Sequence, residues 1–209
     1  MSKPSLILIG AGGHARSCIE VIEHLETFDI VGLIGNEKEL HHECMGYPII
    51  ATDSELRELA KKYQYAIVTV GQIESALVRQ RLYDQALAIG FKLPAIISPT
   101  AHVSRHAEVG DGTIIMHGSC VNAGAKVGSN CIINTNALVE HDAIVGDHCH
   151  ISTGAIVNGA ANIGQGSFVG SGSIIKQGIT LGNSCVVGMG IAIRHNYEEN
   201  SRILTSKKL

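Results

Sequence analysis

From Val103 to Ile193 an aliphatic side chain recurs at every sixth position without a break: Val103, Val109, Ile115, Val121, Val127, Ile133, Val139 and on to Val187 and Ile193. Two residues before each stands a small side chain, from Ala101, Ala107 and Thr113 through Ser167 and Ser173, until Ile179 ends that series. A helix repeats its apolar face every three to four residues and a half-buried strand every two, so neither produces a period of six. Short strands that turn a corner after six residues do. Three such strands close one triangular coil, with the aliphatic residue pointing inward and the small residue fitting the crowded corner. The pattern predicts a parallel β-helix of about five coils over residues 99–196, with residues 18 apart stacked about 4.8 Å above one another. Gly110, Gly128, Gly146, Gly164, Gly182 and Gly188 follow aliphatic positions and read as the places where the backbone bends.

Residues 1–98 carry a different pattern. Apolar runs at 5–9, 30–34 and 66–70 predict strands, and stretches at 15–25, 53–62 and 74–89 predict helices, the second capped by Asp53 and the third stopped by Gly90. Such alternation predicts an α/β domain, a small Rossmann-like parallel sheet covered by helices. Pro94 and Pro99 mark the link to the prism, and residues 197–209 follow it as a tail. Between the first strand and first helix stands Gly10-Ala11-Gly12-Gly13-His14-Ala15, which fits G-x-G-x-x-A in the context that motif requires. Its glycines permit a tight turn, and free amides at the helix start can receive phosphate oxygens. The second strand ends at Gly35-Asn36, followed by Glu37, where a dinucleotide site usually places its acidic residue. An NAD-dependent oxidoreductase therefore rests on the glycine loop alone.

Composition narrows the function classes. The 209 residues are 45% apolar and 17% charged with a net charge of −3, which disfavours both a disordered chain and a basic nucleic-acid binder. No apolar run approaches the roughly 20 residues of a membrane helix, and Glu20, Glu23 and His24 interrupt any signal-peptide pattern, so a cytoplasmic protein is expected. Six Cys occur without a C-x-x-C pair and read as buried free thiols; Cys131, Cys149 and Cys185 share one inward position with Ser167. Eleven His invite a metal reading, with His141, His148 and His150 as one set, but side chains leaving different corners of a prism diverge, and no metal is expected. His102, His106, His117, His148 and His195 read as solvated or interface residues.

The glycine loop on a small βαβ unit, the unbroken hexapeptide prism, Asn134-Thr135-Asn136 and Glu140-His141-Asp142 together resemble the bacterial sugar O- and N-acyltransferases of the sialic-acid O-acetyltransferase type. The nearest likeness is to nucleotide-4-amino-sugar N-acetyltransferases of surface-glycan (including lipopolysaccharide O-antigen) and glycoprotein pathways, and it covers nearly the whole chain. This resemblance implies a left-handed β-helix in a homotrimer, acetyl-CoA as acyl donor in a groove between prisms, and a nucleotide-linked amino sugar on the front domain. It further implies His141 as general base and Asp142 as its orienting partner. Gly10, Gly12, Gly13, His14, Asn36 and Asn134 fall at substrate-binding positions, and His150, Gly159, Gly170 and Ser171 at acetyl-CoA-binding ones. Two departures stand out: no acidic residue directly follows the second strand, and the usual Gly-x-Pro-Ala near the C-terminus is replaced by Ile203-Leu204-Thr205-Ser206 before Lys207 and Lys208.

The repeat bears on the same residues independently. His141 lies two positions past Val139 and so projects outward, with Ala123 and Gly159 as its vertical neighbours, which leaves a groove beside a bulky polar ring. His150 has Ile132 and Phe168 above and below it, an apolar wall. An imidazole with an ordinary pKa near 6.5 suits removal of a proton from an attacking amine. Adjacent strand residues point apart, so whether Asp142 or Glu140 orients the ring depends on turn geometry. Direct attack needs no Ser or Cys nucleophile. Rival readings are O-acetylation of sialic acid or a related sugar, and a non-catalytic scaffold presenting the flat faces of a solenoid.

Overall fold

The protein was analysed as a computed structural model that describes residues 2–205. In the front domain β1 (Ser5–Ile9) lies between β2 (Asp29–Gly35), the central strand, and β5 (Tyr65–Val68), all parallel. Beyond β2 come β4 (Tyr47–Thr52), parallel to it, and the short antiparallel β3 (Glu43–Cys44). The helices are α1 (Gly13–Leu25), α2 (Leu56–Ala60) and α3 (Leu77–Ala88).

Several boundaries differ from the sequence expectation for local reasons. The β3–β4 hairpin was not expected, because Pro48 and the Met45-Gly46 turn break up its apolar run. The helix expected to be capped by Asp53 is a 3-10 turn at Asp53–Glu55 leading into α2; the capping residue is Thr52, whose N–H donates to Glu55 Oε2 at 3.0 Å. The last helix begins at Leu77 rather than three residues earlier, since the Ser75 hydroxyl accepts the Leu77 N–H at 3.2 Å in a non-helical turn.

The second half is a parallel β-helix, as the period of six predicts, and left-handed, as the resemblance implies. Its ladder starts at Ile96–Ile97 and its last rung is Arg202–Ile203, giving faces of seven, six and five two-residue strands. Register is 18 from coil to coil, with Cys120 on Leu138, Ile132 on His150, and His150 on Phe168, and shortens to 16 at the last rung, where Arg202 sits on Val186. The inward aliphatic residues and the small residues before them form one continuous core, with Cys131, Cys149 and Cys185 fully buried in it. Of the six thiols only Cys120 is half-exposed.

The glycines after the aliphatic positions do not make the bends. A Cβ on Gly110 would lie 2.6 Å from the Gly128 carbonyl carbon, and one on Gly170 2.5 Å from the Gly188 carbonyl carbon; these glycines let one rung approach the next. The left-handed backbone falls two residues later in each corner, as at Gly112 (φ 69°), Asn130 (φ 51°), Asn136 (φ 56°) and Asp142 (φ 59°). Short polar residues tolerate that region.

The three outer faces differ in chemistry, and this positions the site. The seven-strand face carries Ile96, Ile114 and Ile132, which pack with Ala15, Cys18, Ile19 and Ile22 of α1 into one core joining front domain and prism. The five-strand face presents Glu108, Lys126, Asn162 and Thr180 to solvent, with Ile144 as its one apolar outward residue. The six-strand face is an apolar stripe of Leu138, Ile156 and Ile174, the last 43% exposed.

Candidate active site

At the corner between the six- and five-strand faces, the left-handed turn at Asp142 swings its carboxylate back onto the preceding ring: His141 Nδ1 and Asp142 Oδ2 are 2.9 Å apart. Glu140 instead accepts the His141 backbone N–H at 3.1 Å. The hydrogen bond to Asp142 raises the His141 pKa above its ordinary value. With Nδ1–H donated to the carboxylate, Nε2 carries the lone pair, and it lies over Gly159: a Cβ there would be 2.6 Å from Nε2 and 2.7 Å from Cε1. The ring is 57% exposed.

In the front domain, Gly10 takes φ 121°, and a Cβ there would meet Val70 Cγ2 at 2.6 Å, so the turn after β1 requires glycine. A Cβ on Gly12 or Gly13 would meet nothing within 4 Å. Gly12 caps α1 without a side-chain bond, and no acidic residue sits in its first turn, which leaves amides free at a positive helix end. Gly10 and Gly12 open into a cleft of about 580 Å³ lined also by Asn36, Glu39, Thr52, Asp53, Ser54 and Arg81, while Gly13 is not among its lining residues. The Asn36 side chain accepts the Lys38 N–H at 3.0 Å, while Glu39 folds back to accept the Asn36 N–H at 2.9 Å. A carboxylate thus does stand at the end of β2, delivered by Glu39, four residues beyond Gly35. Arg81 and Asp53 pair at 3.6 Å on the far wall. Glu39, Ser54 and Arg81 escaped sequence reasoning because no local motif assigns a helix face or a folded-back loop to this cleft.

A third group lies where the front domain meets the prism. His150 donates Nδ1–H to the Gln72 carbonyl at 2.7 Å, which fixes the tautomer, and its Nε2 accepts from Asn134 Nδ2 at 3.1 Å. The ring packs against Phe168 with centroids 5.2 Å apart, the apolar wall expected, and His14 lies 6.4 Å away. Burial, aided by the nearby Arg79 charge, holds the His150 pKa down at about 4 and that of His14 at about 3. His14 Nε2 is buried without a hydrogen-bond partner. His148 and His117 also belong to this interface, His148 buried against Tyr83 and His117 half-buried against His24.

Within one chain, then, the structure brings Gly10, Gly12 and Asn36 together in the cleft, and His14, Asn134 and His150 at the domain junction. His141, Asp142 and Gly159 stand at a different corner, across the apolar face. Ser171 is exposed on the corner above Asn134, hydrogen-bonded to Ser152 at 2.9 Å, beside Gly170. Among the described residues no cluster of three or more His, Cys, Asp or Glu is placed to hold a metal, and no helix is long and apolar enough to cross a membrane. Ser206, Lys207 and Lys208 lie outside the described residues.

The PglD N-terminal domain family matches residues 5–86, the six-repeat bacterial transferase hexapeptide family residues 124–159, and the hexapeptide repeat of succinyl-transferase residues 161–194. Among solved structures, the acetyltransferase domain of PglB from Neisseria gonorrhoeae, in complex with acetyl coenzyme A, is 31% identical, covers 96% of each chain and has a TM-score of 0.88. A point variant of perosamine N-acetyltransferase from Caulobacter crescentus, in complex with CoA and GDP-perosamine, is 26% identical over 98% of this chain and 95% of that one, with a TM-score of 0.91. WeeI from Acinetobacter baumannii, at 20% identity, 96% and 97% coverage and a TM-score of 0.83, shares the fold. No curated protein sequence matches the chain. With a PglD-type front domain, two hexapeptide matches and a relative above 30% identity that covers 96% of the chain, the chain belongs to the bacterial hexapeptide sugar acyltransferases, close to their amino-sugar N-acetyltransferases.

Proposed function

We propose that this protein transfers an acetyl group from acetyl-CoA to the amino group of a nucleotide-linked 4-amino-deoxy sugar, with His141 as general base. The observation that carries this reading is the His141–Asp142 pair at 2.9 Å with Nε2 lying over the bare Gly159. Its neighbours of known structure hold acetyl-CoA in one case and CoA with GDP-perosamine in another. The amine nitrogen attacks the thioester carbonyl; a C–N bond forms, the C–S bond breaks, the amine proton passes to His141 Nε2, and the thiolate leaves to take up a proton. Asp142 keeps Nδ1 protonated, so Nε2 remains the accepting atom, and stabilises the imidazolium that forms. The Gly159 N–H donates to no backbone acceptor among the described residues and can meet charge developing on the carbonyl oxygen. His150 acts differently: with Nδ1–H committed to Gln72, its Nε2 offers a lone pair and cannot donate to that oxygen while neutral.

The open glycine loop and the uncapped start of α1 suit the diphosphate, with Asn36 and Glu39 toward the nucleoside. The cleft and the His141 corner are apart within one chain, so the sugar of one subunit reaches the base of a neighbour. The stripe of Leu138, Ile156 and Ile174 lies between the two corners, and a homotrimer packed on it would close the groove that holds the pantetheine arm along Gly159, Gly170 and Ser171. The test is a thiol-release assay with acetyl-CoA against nucleotide-linked amino sugars and free sialic acids, with mass spectrometry of the product. Activity only with amino sugars supports the reading; activity only with sialic acid overturns it in favour of O-acetylation.

A further inference from the structure

Arg79 on α3 is the largest fully buried side chain among the described residues, 1% exposed, and it takes part in no ion pair among them. A buried cation without a carboxylate is costly, so its polar partners carry information. Nη2 donates to the Asn130 carbonyl at 2.9 Å and to Asn130 Oδ1 at 3.0 Å, Nη1 donates to Gln72 Oε1 at 3.3 Å, and Nε has no partner. Gln72 in turn donates Nε2–H to the Gly166 carbonyl at 3.2 Å, and its own carbonyl accepts Nδ1–H from His150. Asn130 Nδ2 and His148 Nδ1 are 3.0 Å apart, so Nδ1 of that ring accepts. One guanidinium thus joins the loop after β5, a corner of the prism and two imidazoles.

We propose that Arg79 is a positioning residue: it clamps the Gln72 loop to the prism so that the loop carbonyl fixes His150 in the Nδ1–H form, and its unpaired charge bars a second cation from His150 and His14. The titratable or charged groups facing His150 are Arg79 from α3 and His14 from α1; Ile132, Asn134 and Phe168 of the prism carry no charge. Burial is the largest cause holding the His150 pKa down; the Gln72 carbonyl favours the charged ring, and the Arg79 guanidinium, bound to the same Gln72, opposes it. The consequence is that Nε2 of His150 stays a constant acceptor across the pH range in which His141 changes charge. This inference stands on ground-state hydrogen bonds, and its experiment needs no substrate, so its failure is separable from failure of the proposed reaction.

The measurement is 15N NMR of histidine-labelled full-length protein from about pH 8 to about pH 5, with His150 assigned by its loss in His150→Gln. In the wild type, His150 should show one form, protonated at Nδ1 and bare at Nε2, that hardly titrates in this range. Asn130→Asp supplies a carboxylate to the guanidinium while leaving the Gln72 clamp in place; His150 should keep its tautomer but titrate at higher pH. Arg79→Met removes both clamp and charge, so the ring should exchange between tautomers and also titrate at higher pH. Arg79→Lys restores the charge without the fork and should bring back only the low titration. An unchanged His150 titration in Asn130→Asp overturns the electrostatic half, and that variant decides it even if Arg79→Met does not fold. A single fixed Nδ1–H form in folded Arg79→Met overturns the clamp; should that variant not fold, Gln72→Met, which loses the Oε1 acceptor and the Nε2 donor to Gly166 but keeps the backbone carbonyl, replaces it, and a ring still fixed there overturns the clamp as well.

Discussion

His141 and His150 are nine residues apart on the same repeat and meet opposite environments. His141 stands at a corner open to solvent, paired with a carboxylate that makes it a stronger base; His150 is 7% exposed, donates to a carbonyl and has its basicity suppressed by burial. The difference follows from which face of the prism each rung presents. The seven-strand face is covered by α1 and the Gln72 loop, whereas the corner beyond the apolar face is bare in the single chain. The repeat thus separates two settings that a single imidazole cannot combine, an exposed ring beside a carboxylate, as the proposed base requires, and a buried ring that holds a fixed hydrogen bond.

The largest effect that tests this contrast is on turnover. His141→Ala should lower kcat in the thiol-release assay by roughly 10²-fold or more while leaving the fold intact, because the ring is exposed and packs little. Near-normal turnover would falsify its role as base. Next in size is Gly159→Ala. The three atoms nearest the added Cβ would all belong to the His141 ring, at 2.6, 2.7 and 3.3 Å, so the imidazole must swing aside. A fall in kcat of about tenfold with an unchanged melting temperature is expected from misplacing the base; full activity would mean that the ring does not work from over this glycine.

The buried side of the comparison is read by acid. His14 and His150 are held at about 3 and about 4, below the ordinary 6.5 of an unfolded chain. The unfolded state therefore binds more protons as pH falls below 6.5, and native stability should drop from there until the folded values are reached, by up to roughly 1.4 kcal/mol per pH unit for each ring. Urea unfolding at a series of pH values checks this. His150→Gln should flatten part of the slope, and His141→Ala should not, since a raised pKa acts in the opposite direction.

Much of the prism was legible because its period is imposed by geometry on every coil: the aliphatic position, the register of 18 and the outward His141 beside Gly159 all follow from counting. The corners were less legible. Glycine after the aliphatic residue suggested a bend, yet the left-handed residue lies two positions on; glycine is also the commonest residue there, as at Gly112 and Gly118, with Asn130, Asn136, Asp142 and Ser184 at other corners, so glycine content alone did not say which position bends. The glycine loop was legible as a motif, whereas Glu39 and Arg81 reach the cleft through a folded-back loop and a helix face that local pattern does not encode. Arg79 and Gln72 were invisible for a further reason: their meaning lies in contacts 51 and 78 residues away, with Asn130 and His150.

The smallest expected effect concerns the carboxylate beside His141. Asp142→Asn keeps a side chain that tolerates φ 59° and can still accept Nδ1–H through its carbonyl oxygen, but removes the negative charge. Because the bond to Asp142 is the largest cause raising the His141 pKa, its loss should move the acid limb of the kcat/KM profile to lower pH. A base of lower pKa is also weaker, so turnover on the plateau should fall by only about a few-fold to tenfold, less than in His141→Ala. The two effects have opposite consequences at acid pH, where the variant loses driving force but keeps more of its imidazole neutral. An acid limb that stays in place while turnover falls would assign the titration to another group and leave Asp142 a purely orienting role.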